Sequence, residues 1–195
     1  MQPFDPRTAL VVVDVQNDFA DPAGSLHVPG GELVVAPIDS LVTAALEAGA
    51  CVAYTQDWHP PVTPHFASSG GVWPDHCVQG TWGAEPHPGL HVRGPVVRKG
   101  SNGEDGYSGF TMRDPVSGAT TPTTLDGLLR ARGIERVVVT GLATDYCVKA
   151  TALDAVALGY ATSVPRVLVA AVDLAPGDGD RAIAEMAAAG VVIEG

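Results

Sequence analysis

Residues 9–14 read Ala9-Leu10-Val11-Val12-Val13-Asp14. Five apolar residues, three of them β-branched, followed by a carboxylate form the signature of a strand buried on both faces. A strand covered on both sides implies a parallel sheet with helices above and below it. Working outward, the chain repeats strand and helix. Leu33 to Ala48 carries apolar residues near the helical period and is stopped by Gly49. Cys51 to Thr55 and Pro95 to Lys99 read as short strands, Thr124 to Arg132 as a helix closed by Gly133, and Val137 to Thr140 as a further strand. Thr144 to Leu158 reads as a helix, Arg166 to Val172 as a strand, Asp178 to Ala189 as a helix and Val191 to Ile193 as the last strand. The expected fold class is α/β: a doubly wound parallel sheet in a single three-layer domain over residues 1–195.

Composition agrees with a globular chain and excludes several function classes. The 195 residues are 46% hydrophobic and 17% charged, with 11 Lys+Arg against 22 Asp+Glu, a formal charge of −11. That balance argues against nucleic acid and against an anionic membrane surface, both of which need basic clusters. The apolar run at the amino end stops at Asp14, far short of the roughly 20 residues of a membrane span. Three cysteines without C-x-x-C spacing point to a reducing, cytoplasmic setting. There is no G-x-G-x-x-G, no G-K-[ST] and no G-x-S-x-G.

Sheets of this kind build their sites at the carboxyl ends of strands, so the residues just beyond each strand carry the most information. Asp14 succeeds the first strand, Asp57-Trp58-His59 the second, Lys99 ends the third, and Gly141-Leu142-Ala143-Thr144-Asp145-Tyr146-Cys147 succeeds the fourth. A carboxylate, an ammonium and a thiol are thus expected on one rim. Cys147 falls in the first turn of a predicted helix, where the dipole favours thiolate. Two readings of it stand open, a core hydrophobe or a nucleophile with Asp14 as base and Lys99 as charge partner. Between Gln56 and about Val92 periodicity vanishes, as in functional loops. Asp57, His59, His65 and His76 lie there, a donor set that suits Zn, Fe or Mn rather than Ca or Mg. His27, His87 and His91 lack ligand-type neighbours, and Cys51 sits inside a strand.

With these segments assembled, the chain resembles the nicotinamidase/pyrazinamidase branch of the isochorismatase-like cysteine hydrolases. The resemblance rests on Val13-Asp14-Val15-Gln16-Asn17-Asp18-Phe19, Asp57-Trp58-His59-Pro60, Trp73-Pro74-Asp75-His76-Cys77, Lys99-Gly100, Tyr107-Ser108-Gly109-Phe110 and Gly141 to Val148. It implies a catalytic triad of Asp14, Lys99 and Cys147, metal ligands Asp57, His59 and His76 with His65 as a fourth in some members, and Phe19, Trp73 and Tyr107 around an aromatic ring. It also implies substrate contact by Tyr146 and a cis peptide between Leu142 and Ala143, giving an oxyanion hole from the N–H groups of Ala143 and Cys147. The implied reaction is hydrolysis of nicotinamide to nicotinate and ammonia, and of pyrazinamide, through a cysteine thioester in NAD salvage. One divalent transition metal, zinc first with Fe or Mn as alternatives, would serve a small aromatic carboxamide substrate in a monomer or small homo-oligomer. The rival readings are a related hydrolase of carbamoyl or ureido substrates, isochorismatase itself, and a non-enzymatic metal-binding protein of the same fold.

Overall fold

The computed structural model describes residues 2–195. In chain order the elements are β1 (Thr8–Val13), α1 (Asn17–Ala20), α2 (Gly31–Glu47), β2 (Cys51–Asp57), β3 (Val96–Lys99), β4 (Thr111–Arg113), β5 (Thr120–Pro122) and α3 (Leu125–Ala131). Next come β6 (Arg136–Leu142), a π-helical turn (Thr144–Val148) running into α4 (Lys149–Ala157), β7 (Ala161–Pro165), β8 (Val169–Ala170), α5 (Asp178–Ala188) and β9 (Val192–Glu194). The central sheet runs β3-β2-β1-β6-β7-β9 with β8 beside β6, and its pairings are all parallel.

The two-sided burial expected of residues 9–13 is what the packing shows. Leu10 and Val12 face the layer of α2, meeting a core that includes Ile38, Val42 and Ala45. Ala9, Val11 and Val13 face the opposite layer, with Leu125 and Leu129 of α3, Ala152 and Ala155 of α4 and Met186 of α5. Full burial of a Val or Leu side chain contributes roughly 1.5–3 kcal/mol, so β1 alone anchors both layers. The sheet order reverses between β1 and β6, the place where doubly wound sheets open a crevice beyond the strand ends. Those two strands approach closely there. Gly141, paired with Val13, has φ 109°, and a Cβ on it would lie 2.1 Å from the Val13 carbonyl oxygen. Only glycine fits that conformation and that gap.

Three stretches depart from expectation. The strand predicted at Arg166 to Val172 is instead a 3-10 turn over Arg166–Leu168 followed by the two-residue β8, which pairs only the end of β6, while the longer strand between β6 and β9 is β7. Thr162 and Ser163 are nevertheless buried in β7, where the Thr162 hydroxyl donates to the Tyr160 carbonyl. Their polarity hid the strand, because local hydrogen bonding satisfies hydroxyls that an apolar pattern does not register. The helix predicted from Thr144 begins with a π turn rather than an α turn. The β4–β5 hairpin is an antiparallel addition outside the main sheet that no sequence pattern marked.

Candidate active site

Strand register assembles the charged centre. Asp57 and Lys99 are direct partners on β2 and β3, so their side chains leave adjacent strand ends together. Lys99 Nζ lies 2.7 Å from Asp14 Oδ2, 3.1 Å from Asp57 Oδ1 and 3.6 Å from Cys147 Sγ, and it also donates to the Gly106 carbonyl. Asp14 and Lys99 are fully buried. Asp14 adopts φ 47°, and its carboxylate Oδ1 accepts the Thr55 hydroxyl at 2.6 Å. Burial pushes the Asp14 carboxyl above its ordinary range, against the pull of Lys99. Burial acts to lower Lys99, but Asp14 and Asp57 together hold its ammonium well above the usual lysine value. Cys147 departs from the sequence expectation of a dipole-stabilised thiolate. Burial, reinforced by Asp14 and Asp57, outweighs Lys99 and raises the thiol well above its ordinary range. Desolvation therefore favours the neutral thiol beside the Asp14 carboxyl.

Beyond Asp57 stands a cluster of imidazoles. His59, His65 and His76 are buried, and one ring nitrogen of each lies within 4.8 Å of the others. Asp57 Oδ2 is 3.2 Å from His59 Nε2 and 3.5 Å from His76 Nε2. Neighbouring donors around a metal with bonds of about 2.0–2.2 Å are roughly 3.0–3.5 Å apart, so Asp57 with His59 and His76 fits a divalent transition metal, and His65 offers a ring nitrogen within 4.8 Å of theirs. The rings are already oriented. His76 Nδ1 donates to the Pro74 carbonyl at 2.7 Å, and His65 Nδ1 meets Asp105 Oδ1 at 2.9 Å. Burial lowers the His65 pKa, which favours the neutral, metal-binding imidazole. Burial raises Asp57, yet Lys99 and His59 prevail and keep it well below the carboxylate range. One ionised carboxylate thus faces both the ammonium and the imidazoles.

Cys147 and the cluster open onto one narrow pocket, whose lining includes Phe19, Trp73, Tyr107, Tyr146 and Ala143. The Trp73 indole donates to the Tyr107 hydroxyl at 2.9 Å, and burial raises Tyr107 to about 12. Trp73 also meets Tyr146 edge-on, with centroids 4.8 Å apart. The Leu142–Ala143 peptide is cis. The Ala143 carbonyl turns back into the π turn, accepting the N–H groups of Tyr146 and Val148.

Every residue singled out in the sequence for catalysis, metal or substrate therefore borders this site. The match to the Isochorismatase domain covers residues 8–194, nearly the whole chain. The chain belongs to the isochorismatase domain family. It is 40% identical to the nicotinamidase of Escherichia coli (strain K12), over 96% of this chain and 94% of that protein. The pyrazinamidase of Pyrococcus horikoshii, solved in complex with zinc, superposes with a TM-score of 0.85 at 39% identity, covering 96% of this chain and 98% of that one. The PnC1 protein of L. infantum, solved in complex with nicotinate, gives a TM-score of 0.90 at 38% identity, covering 98% and 94%.

Within this isochorismatase-family chain, several supporting residues carried no signal in the sequence. Thr55, Gly106 and Asp105 touch Asp14, Lys99 and His65, and Leu26 and Val172 complete the pocket wall. The Gln16-Asn17-Asp18 run, part of the recognisable motif, is scaffold. Gln16 exchanges two hydrogen bonds of 2.8 Å with the Asp57 backbone, and Asp18 accepts the N–H groups of Cys77 and Ser25. Trp58 lies under the Arg98 guanidinium at 4.0 Å, and Trp82 is 52% exposed, so neither walls the pocket. His27 pairs with Glu32 and His91 with Asp39 elsewhere on the surface.

Proposed function

We propose that this chain hydrolyses nicotinamide to nicotinate and ammonia, and pyrazinamide by the same route. The observation that carries the reading is one pocket bordered by the Cys147 thiol, aromatic walls and an imidazole cluster. Near full-length similarity to a nicotinamidase supports it.

Asp14 accepts the Cys147 proton as Sγ attacks the carboxamide carbon. The N–H groups of Ala143 and Cys147 receive the oxyanion. Asp14 then delivers its proton to the amide nitrogen, the C–N bond breaks and ammonia leaves a thioester on Cys147. Asp14 next takes a proton from water, whose oxygen attacks the thioester carbon. The C–S bond breaks, the Asp14 proton returns to Sγ, and the acid product gives its remaining hydroxyl proton to solvent and leaves as nicotinate. Throughout, Lys99 offsets the negative charge shared between Asp14 and sulfur. Phe19, Trp73, Tyr107 and Tyr146 hold the ring flat, which aligns the carboxamide with Sγ. A divalent metal held by Asp57, His59, His65 and His76, zinc first and Fe or Mn as alternatives, supplies when bound a Lewis-acid anchor for the ring nitrogen.

No helix among the described residues is long and apolar enough to cross a membrane. We read residues 1–195 as one domain, acting in the cytoplasm in NAD salvage as a monomer or small homo-oligomer, without nucleic acid or membrane partners. The test compares kcat/KM for nicotinamide and benzamide with zinc-loaded protein. Benzamide keeps ring and amide but lacks the ring nitrogen, so a severalfold to many-fold loss is expected. Equal values sink the ring-nitrogen reading and favour a general amidase.

A further inference from the structure

We propose that Asp105 is a positioning residue for the metal, holding His65 with its proton on Nδ1 and its Nε2 turned into the His59/His76 cluster. This rests on the metal site proposed above. A neutral imidazole has two tautomers, and a carboxylate that only accepts selects the one whose facing nitrogen is protonated. The Nδ1–Oδ1 separation is 2.9 Å. The His65 ring stacks on His59 at 4.7 Å between centroids, tilted by 21°, so a rotated or re-protonated ring disturbs both ligands.

Asp105 is itself fixed from its far side. Its N–H donates to the Arg113 carbonyl at 2.7 Å and its carbonyl accepts the Arg113 N–H at 3.0 Å, tying it to the β4–β5 hairpin. The Arg113 guanidinium stands 3.5 Å from Asp105 Oδ2, leaving Oδ1 to the imidazole. The next two residues reach the rest of the site. The Gly106 carbonyl takes the Lys99 ammonium, and a Cβ there would lie 2.7 Å from Lys99 Cβ, while Tyr107 lines the substrate pocket. Three consecutive residues therefore serve the metal cluster, the charged centre and the aromatic wall.

The experiment measures zinc affinity by competition with a chromophoric chelator in wild type, Asp105→Asn, Asp105→Ala, His65→Ala and the Asp105→Ala/His65→Ala double variant. Asp105→Ala is expected to weaken zinc binding roughly 10–100-fold. Asp105→Asn, whose amide oxygen still accepts the Nδ1 proton, is expected within a fewfold of wild type. In the His65→Ala background Asp105→Ala is expected to add nothing, because it acts through that ring. Wild-type affinity in Asp105→Ala, or losses that multiply in the double variant, overturn the inference alone. A wild type that binds no zinc overturns the metal reading and this inference with it. A second measurement needs no variant: nitrogen-15 NMR of the zinc-loaded protein is expected to show His65 protonated on Nδ1, and protonation on Nε2 overturns the proposal.

Discussion

The two halves of the site are built by different means. Asp14, Lys99 and Cys147 stand at the ends of, or one turn beyond, β1, β3 and β6, and hydrogen-bonded strand register brings those ends together. The imidazoles and half of the aromatic wall, Trp73 and Tyr107, come from the loops on either side of β3, outside the strands of the sheet. Buried and half-buried polar side chains do that work: Asp18 grips the Cys77 N–H beside His76, Gln16 grips the Asp57 backbone, and the half-buried Asp105 faces His65. Register fixes the proposed catalytic groups as a by-product of the core. The loop half needs its own staples, whose loss is expected to leave the sheet intact.

That contrast is broken most severely at the strand ends. Cys147→Ala is expected to abolish turnover, and Asp14→Asn and Lys99→Ala to cost nearly as much, roughly 10^4-fold or more in kcat. The Asp14→Asn/Lys99→Ala double variant should be little worse than either single one, since the groups act as a unit. Steady-state kinetics check this, and multiplicative losses would show that they work separately.

A smaller effect separates the halves by stability. Gly141→Ala places a Cβ against the Val13 carbonyl at a positive φ, so it should unfold the sheet by several kcal/mol, beyond the roughly 1–3 kcal/mol usual for overpacking. Asp18→Ala leaves a buried N–H unsatisfied, costing about 1–3 kcal/mol, and should lower zinc content while the core persists. Thermal melts with elemental analysis check both. Equal losses of stability would erase the distinction between the two halves.

The smallest effect sharpens the contrast through pH. Asp14 must be ionised to take the thiol proton, and burial raises its carboxyl. Activity is therefore present above that raised pKa and lost as pH falls through it. The acid limb of kcat/KM should bend above the ordinary aspartate value of about 3.9, with zinc content tracked at each pH. The inflection belongs to the coupled group rather than to Asp14 alone. A bend at or below 3.9 would contradict a buried base.

Much of the fold and the site was legible from the chain. Residues 9–13 announced a strand buried on both faces because an unbroken apolar run leaves no wet side. Asp14, Lys99 and Cys147 stood out because chemistry at strand ends shares one rim in a parallel sheet. Asp57, His59, His65 and His76 stood out as metal donors in an aperiodic stretch. β7 was hidden by Thr162 and Ser163, whose burial depends on neighbours rather than on hydropathy.

The amino-acid sequence by itself determined the layered α/β plan and the inventory of reactive groups, since both stem from local periodicity and residue chemistry. Only the tertiary structure decided that Asp57 faces Lys99 and the imidazoles at once, that burial raises the Cys147 thiol, and that Asp105, forty positions from His65, meets its ring. These depend on distance and desolvation between segments remote in the chain. Such through-space terms leave no trace in the order of residues.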